Sequence, residues 1–331
     1  MKQEVFMRQK LPERPHLDHL KKQAKELVEL HRSSNAAALS RIRESLPAFA
    51  GATDDAVANV PFALHDAQSV IAREYGFPSF VELSTHVEER QRSAAVESLV
   101  RRVAPGPVPN AVIVAVAEAA RSVPGTLADL ASVGKLPLIA VRNAVVSSGA
   151  TAPLCLGRPS SIAAVHAAER VPARLVAVFP QRDAAVEEPS LADLYDTGCV
   201  AFVSAIVPQG EAVWVVLRGV AWAKLDGLES EGTHLVARVS AIAMEPDDEG
   251  DVTRLAAELR REAKRLARAT APESERFIDE IADAGALADA VMSNLPGTVA
   301  EKVAYAAERR VATKLRRALD AVRALDAATP A

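Results

Sequence analysis

LPLIAVRNAVVSSGATAPLCLGRPSSI, residues 136–162, contains the clearest succession of structural signals in this chain. The apolar run 138–146 predicts a strand, Gly149 predicts a turn, and the apolar run 152–156 predicts a second strand. A helix is expected after Gly157, where Ser160 or Ser161 could cap the free backbone amides. The predicted order is therefore strand, turn, strand, helix.

This stretch resembles the opening of the amino-terminal, substrate-recruiting domain of Lon proteases, whose pattern is LP-x-x-x-x-R-(D/N)-x-V-V-F-P-G-x-x-x-P-L-x-x-G-R-x-x-S-I. The positions that fit are Leu136, Pro137, Arg142, Asn143, Val145, Val146, Gly149, Pro153, Leu154, Gly157, Arg158, Ser161 and Ile162. The resemblance continues in register to about Leu325, through SLADLYDTGCVAFVSAIV, VWVVLRGVAWAKL and ALADAVMSNLPGTVAEKVAYAAE. It implies a PUA-like β pseudo-barrel that recruits polypeptides.

Two departures from the Lon pattern fall inside the same stretch. Ser147-Ser148 replaces the Phe-Pro that usually precedes the turn glycine, and Pro159-Ser160 replaces a charged pair after Gly-Arg. The loss of the charged pair at Pro159-Ser160 leaves open whether the recruiting surface of the family transfers to this chain or takes a different ligand.

Residues 11–92 are predicted to form a helical module. Apolar residues follow helical spacing at Leu17, Leu20, Ala24, Leu27 and Val28. Gly76 is suited to ending a later helix, and Ser79 forms a capping box with Glu82 at the start of the next. The phrases LDHLKKQAKELVELHR and FALHDAQSVIAREYGFPSFVELSTHVE resemble the small helical module that precedes ankyrin repeats in bacterial proteins. No 33-residue repeat follows, and docking is the role we expect for this module.

The remaining chain divides into three predicted parts. Residues 93–135 are predicted as a linker with short helices, since Pro105, Gly106, Pro107 and Pro109 interrupt it, and the type of the apolar segment 111–120 is left open. Residues 136–247 contain short Val-, Ala- and Ile-rich runs typical of a partly closed barrel. Residues 248–326 return to helical patterns, ending in one long helix capped by Thr298. The predicted fold class is α+β: a helical module, a PUA-like β pseudo-barrel and a C-terminal helical bundle.

Composition limits the function classes. The formal net charge of −4 gives no overall attraction to nucleic acid, and an aromatic content of 4% offers little material for stacking bases. The first residues lack the apolar core of a signal peptide, and the longest apolar run, 111–117, is far shorter than the roughly 20 residues of a membrane span. We therefore expect a cytoplasmic protein without a membrane partner. Cys155 and Cys199 are expected to be reduced thiols in the core.

Motifs for catalysis and for cofactor or metal binding are missing from the sequence. No G-x-x-x-x-G-K-[ST] loop is present, because the one Gly-Lys pair, Gly134-Lys135, lacks the earlier glycine. No G-x-S-x-G or dinucleotide fingerprint occurs either. His16 and His19 could share a metal but have no third ligand in sequence, so surface histidines are the expected reading. We predict that the chain is not an enzyme and has no catalytic residues, no metal site and no cofactor.

A binding or adaptor protein that takes up unfolded polypeptide segments or a protein partner is the leading functional prediction. The alternative is a nucleic-acid-binding regulator, because PUA-like barrels of other families bind RNA. The candidate partner-binding residues are Arg158, Ser160, Tyr195, Arg218 and Trp222. For Tyr195 and Trp222, packing in the core is an equal alternative, and it is favoured for Trp214. Weak self-association is expected through an apolar stripe of the last helix, formed by Val311, Leu315, Leu319 and Val322.

Overall fold

The computed structural model describes residues 10–12, 15–103, 108–119 and 134–328, in two compact units, Met1–Ala95 and Val96–Ala331. The first is helical and the second combines a β-sheet with helices, so the predicted α+β class is confirmed. The described helices are α1 (Leu17–Arg32), α2 (Ala36–Ser45), α3 (Asp54–Ala58), α4 (Leu64–Glu74), α5 (Phe80–Val103), α6 (Asn110–Ala119), α7 (Pro159–Glu169), α8 (Glu249–Thr270), α9 (Glu275–Glu280), α10 (Ala284–Asn294), α11 (Val299–Ala306) and α12 (Val311–Ala328). The strands are β1 (Lys135–Val141), β2 (Thr151–Leu156), β3 (Leu175–Pro180), β4 (Thr197–Gln209), β5 (Ala212–Glu231) and β6 (His234–Ala241).

The first unit packs the apolar stripes of its helices into one core. Leu20, Ala24 and Leu27 of α1 are buried against α2 and α4, as their spacing predicts. The capping box forms, with the amide of Glu82 donating to the Ser79 hydroxyl at 3.2 Å, and Gly76 has a φ of +84°. The short helix α3 was not predicted, because its five residues are too few to show a period.

The second unit is built on a closed β-barrel. The six strands follow the order β2-β5-β4-β3-β1-β6, and β5 pairs with β6 as well. The strands β5, β4, β3, β1 and β6 therefore form a ring, in which only β1 and β3 run parallel. β5 is 20 residues long and closes the ring with its second half, while its first half carries β2. β5 is thus much longer than the short apolar runs from which the barrel was predicted.

Side chains alternate between two apolar layers along β1. Leu136, Leu138 and Ala140 join a cluster that draws residues from all five ring strands and includes no helix. Because these side chains are buried without a helical cover, they fill the barrel interior. Ile139 and Val141 point the other way, into a layer shared with α7.

The structure corrects several details of residues 136–162. β1 ends at Val141 rather than Val146, and the N-cap of α7 is Arg158, which makes no side-chain capping bond. Ser160 and Ser161 lie inside the first turn, since Pro159 occupies the first helical position that its missing N–H suits. Cys199 is buried as expected, and burial raises the pKa of its thiol to about 12. Cys155, also predicted in the core, is exposed.

The C-terminal helices form a bundle around a core of their own. The predicted long last helix is two helices, α11 and α12, separated by residues 307–310, and the Thr298 capping box opens the first of them. Leu315, Leu319 and Val322 of the predicted association stripe are buried in this core, and Val311 packs against it. The stripe is therefore an internal packing surface of the bundle, not an exposed site for self-association.

The predicted linker is described only in part. α5 continues to Val103, beyond the predicted end of the helical module at residue 92, and the ambiguous segment 111–120 is helical where it is described, as α6. The prolines and glycine at 105–107, and the linker residues 120–133, lie outside the described residues. Within the described ranges, no helix is both long enough and apolar enough to cross a bilayer.

Candidate functional site

The five candidate residues predicted from sequence do not converge on one site. Arg158 and Ser160 lie at the start of α7, Tyr195 lies in the loop before β4, and Arg218 and Trp222 lie on β5. Trp214 and Trp222 both belong to β5.

Arg158 organises the loop that follows β3. Its guanidinium donates to the carbonyl of Ala140, to Oε1 of Gln181 at 2.7 Å and to the carbonyl of Glu187 at 3.1 Å. Burial, and after it the charge of Arg142, lower the pKa of Arg158, while Glu187 raises it. With its donors used inside the protein, Arg158 holds the acidic loop 183–188 against the barrel.

Tyr195 is half-buried and remains available at the surface. Its amide donates to the carbonyl of Pro180 at 3.0 Å, and the guanidinium of Arg182 lies over its ring, 4.6 Å from the centroid. Arg182 is exposed and also donates to the carbonyl of Leu194 at 3.0 Å. This stacked pair keeps the aromatic ring in one place beside the acidic loop.

Arg218 is engaged with α6. Its Nη1 donates to the carbonyl of Ala119 at 3.1 Å, and burial lowers the pKa of the guanidinium. On the same side of β5, Trp214 and Val216 pack against Val112 and Val116 of α6. The Arg218 side chain is therefore covered by a segment of its own chain.

Trp222 is buried, so the core-packing alternative describes it correctly. Its Nε1 donates to Oδ2 of Asp289 at 2.7 Å, and Oδ1 of Asp289 accepts from the Tyr305 hydroxyl at 2.9 Å and from Nζ of Lys314 at 3.1 Å. The Lys314 ammonium lies 5.3 Å from the Trp222 ring centroid and 5.1 Å from that of Tyr305. Burial, and then the Asp289 charge, raise the pKa of Tyr305. We call these four residues the Asp289 cluster, and it joins the barrel to the helical bundle.

An open groove of about 630 Å³ runs along the outer side of α7. Ile162, Ala163 and Ala167 give it an apolar floor, and two β-turns supply much of its rim. Those turns contain Gly210 and Gly232, whose φ values of +61° and +58° are easily reached only by glycine. The lining residues are Gly157, Pro159, Ile162, Ala163, His166, Ala167, Arg170, Glu211, Thr233 and His234.

Sequence reasoning did not identify this groove. Pro159, of the replaced charged pair, lines it, but Ser160 does not. The approach of the two turns to α7 depends on closure of the barrel, which joins strands that are distant in sequence. The rim includes Arg170 and Glu211, of opposite charge, together with His166 and His234. An apolar floor with a mixed polar rim can accept apolar side chains while hydrogen-bonding the backbone that bears them.

Across residues 10–12, 15–103, 108–119 and 134–328, no three His, Cys, Asp or Glu side chains are grouped so that they could hold a metal ion. His16 lies beside Asp18, with Nδ1 3.8 Å from the carboxylate, and His19 contacts Gln23 at 3.2 Å. These contacts agree with the surface reading of both histidines.

Comparison with known families identifies most of the second unit. The family described as the ATP-dependent protease La (LON) substrate-binding domain matches residues 135–324. Lon protease of Anaeromyxobacter dehalogenans (strain 2CP-C) is 33% identical over 173 residues, which are 50% of this chain and 20% of that protein. Lon protease 2 of Myxococcus xanthus is 31% identical over 175 residues, or 51% of this chain and 21% of that protein. The chain spans about a fifth of the length of these relatives.

Two solved structures align with part of this chain. The N-terminal domain of Mycobacterium avium complex Lon protease aligns with 57% of this chain and 98% of its own, at 22% identity and a TM-score of 0.48. The Lon N-terminal domain protein from Xanthomonas campestris aligns over the same shares, at 16% identity and a TM-score of 0.41. The aligned domains account for little more than half of the chain.

Proposed function

Because this chain belongs to the family of the LON substrate-binding domain, we propose that it binds unfolded segments of other proteins and acts as an adaptor without catalytic activity of its own. The family match supports substrate binding as the general role. The adaptor role and the place of binding are the finer parts of the proposal.

The groove along α7 is the observation that carries the proposed binding site. Its volume of about 630 Å³ is in the range of about 300–1,000 Å³ that ligand sites have, and its open form admits a chain that continues on both sides. The apolar floor would hold one or two apolar side chains of an extended segment. The rim residues His166, Arg170, Glu211 and His234 would contact its backbone and flanking polar groups.

The departure from the Lon pattern at 159–160 suggests which segments bind. Pro159, which lines the groove, replaces one residue of the charged pair in the Lon pattern. The groove therefore gains the apolar side chain of a proline and loses a charge. Apolar segments should therefore be preferred over strongly charged ones, because charged side chains would lose hydration without gaining a partner.

Filling the groove tests this function. Ala163 lines the groove on α7, and Ala163→Arg should weaken binding of a labelled, permanently unfolded polypeptide by about tenfold or more, measured by fluorescence anisotropy. Ala257→Arg is the matched control, since Ala257 is an exposed position on α8 and the same charge there should leave binding unchanged. Circular dichroism confirms that both variants fold. A folded Ala163→Arg protein that binds as tightly as the wild type would remove the groove from the proposal.

The same titrations examine the nucleic-acid alternative and the predicted absence of catalysis. Binding to RNA that weakens steeply with salt and is unchanged in Ala163→Arg would favour a nucleic-acid-binding regulator instead. An adaptor should neither hydrolyse ATP nor cleave the bound polypeptide. Turnover that co-purifies with the protein through successive columns would contradict that role.

A further inference from the structure

The helix α6 covers an apolar face of the barrel. Val112, Val116 and Ala119 of α6 are each at most 5% exposed, and they pack with Trp214 and Val216 of β5. Ala205 and Val207 of β4 pack against the same cluster. Without α6, an indole and several aliphatic side chains would face solvent together.

The covering helix is not part of the shared domain. The LON substrate-binding family matches residues 135–324, whereas α6 is Asn110–Ala119. The barrel closes through pairings among β5, β4, β3, β1 and β6, none of which involves α6. α6 is thus an addition to a barrel whose strand pairing is complete without it.

The contact between α6 and the barrel uses chemistry that many polypeptides possess. Its buried side chains lie at i, i+4 and i+7, the spacing of one helical face, and all three are small. A polar contact is made by Arg218, which donates to the backbone carbonyl of Ala119, a group that any residue in that place would provide. The ten described residues of α6 would be marginal as a helix in isolation, so their helical order depends on packing against the barrel.

We propose that the face of β4 and β5 beneath α6 is a second polypeptide-binding surface, and that α6 is an intrachain occupant which a substrate segment displaces. The ligand class is a short amphipathic helix with small aliphatic side chains at i, i+4 and i+7. The inference rests on the proposed function in that its ligand is a polypeptide, but the surface is separate from the groove along α7.

A peptide with the sequence of residues 108–119, VPNAVIVAVAEA, provides the probe, with a fluorophore and a hydrophilic tail added. It is titrated into the full chain and into the double variant Val112→Asp/Val116→Asp, in which buried carboxylates should release α6. The variant should bind the peptide about tenfold or more tightly than the wild type, because its own α6 no longer competes.

Two controls are matched to this experiment. Val114 is 56% exposed on the outer side of α6, so Val114→Asp should leave α6 in place and bind the peptide as weakly as the wild type does. The same peptide with Asp at the positions of Val112 and Val116 should not bind the double variant. Equal affinity of the unaltered peptide for wild type and double variant, or no binding to either, overturns the inference.

Hydrogen exchange on the unmodified protein gives a second test that requires no folded variant. Addition of the peptide should speed exchange of the α6 amides by about fivefold or more relative to those of β4, since displaced α6 is released to solvent. Unchanged exchange in α6 at saturating peptide overturns the inference.

Failure of this inference can be told apart from failure of the proposed function. If the peptide tests fail while Ala163→Arg still abolishes capture of unfolded polypeptide, the groove stands and the second surface does not. If Ala163→Arg has no effect while the double variant binds the peptide tightly, the groove is wrong and the second surface stands.

Discussion

The two tryptophans of this chain lie eight residues apart on one strand, yet they make opposite kinds of contact. Trp222 donates its indole N–H to the buried carboxylate of Asp289 at 2.7 Å. Trp214 donates to Gln209, whose residue is exposed, and lies under α6 among small aliphatic side chains. Trp222, near the middle of β5, is thus joined to the helical bundle by buried charges, whereas the first part of β5, at Trp214, is covered by an apolar helix.

The difference distinguishes a fixed junction, between β5 and the helical bundle, from an exchangeable cover, the helix α6 on β5. Asp289 accepts hydrogen bonds from three donors on two helices and a strand, so loss of one partner leaves the others unsatisfied in a buried place. Trp214 meets α6 itself through apolar contact, which is not directional and which another side chain could supply, because its indole N–H donates to Gln209 of β4 and not to the helix. The bundle should therefore stay attached whenever the barrel is folded, whereas α6 can leave.

Asp289→Ala is expected to have the largest effect on stability. It leaves the Lys314 ammonium buried without its carboxylate, and the side chain of Lys314 is only 3% exposed. The free energy of unfolding should fall by about 3–5 kcal/mol, measured by chemical denaturation. Asp320→Ala, at an exposed position of α12, is the control and should change it by less than about 0.5 kcal/mol.

Replacing the charges together sharpens this result. Asp289→Leu combined with Lys314→Met removes both ions and keeps apolar volume, so much of the lost stability should return. If the double variant is as unstable as Asp289→Ala, the loss comes from the donors of Trp222 and Tyr305 left without an acceptor, and not from the unpaired Lys314 ammonium.

Gly219→Ala tests the part of β5 that lies between Trp214 and Trp222. A Cβ at Gly219 would lie 2.0 Å from the backbone oxygen of Ser147. The same turn is bonded to Gly219 twice, since the amide of Gly149 donates to the Gly219 carbonyl and the amide of Gly219 donates to the Ala150 carbonyl. We expect a loss of about 1–3 kcal/mol in unfolding free energy. Gly157→Ala is the matched control, because nothing lies within 4 Å of a Cβ there. An equal effect of the two substitutions would show that the turn can move away.

Trp222→Phe should come next. Phenylalanine retains the aromatic packing but cannot donate to Asp289, which then keeps only Tyr305 and Lys314 as partners. The expected loss is about 1–3 kcal/mol, measured in the same denaturation experiment. A change as small as that of a surface substitution would mean that water replaces the indole N–H, and the junction would then be open to solvent.

The position of Gly219 also explains why sequence reasoning missed the contrast between the tryptophans. An even spacing of eight residues on a strand predicts one shared face, and Trp214, Val216 and Arg218 do share the face under α6. The pairing of β5 with β4 shifts register between Gly219 and Ala221, because β5 has one extra residue there. Even-numbered residues after the shift therefore point to the opposite face, and Trp222 lies in the same layer as Leu217. A glycine inside a strand was the available signal.

Local chemistry could be predicted more securely than long-range pairing. The spacing of α1, the Thr298 and Ser79 capping boxes and the order of elements in 136–162 follow from neighbouring residues, and the structure contains them. The pairing of Lys314 with Asp289 joins residues 25 apart in sequence, and the contact of Arg218 with Ala119 joins residues 99 apart. No local pattern marks either pair. For the same reason the sequence did not show that three of the five candidate residues, Arg158, Arg218 and Trp222, donate hydrogen bonds to groups inside the protein.

The smallest effect is expected for Trp214→Phe, and it tests the exchangeable cover directly. The lost hydrogen bond to Gln209 can be replaced by water, so unfolding free energy should fall by only about 0.5–1.5 kcal/mol. Each Trp→Phe variant also leaves one tryptophan as a fluorescent probe. Trp214, remaining in Trp222→Phe, should be quenched by acrylamide about twofold more than Trp222, remaining in Trp214→Phe, although both are at most 9% exposed. The reason is that α6 can open while the Asp289 cluster stays closed. Equal quenching of the two would mean that α6 is held as firmly as the bundle.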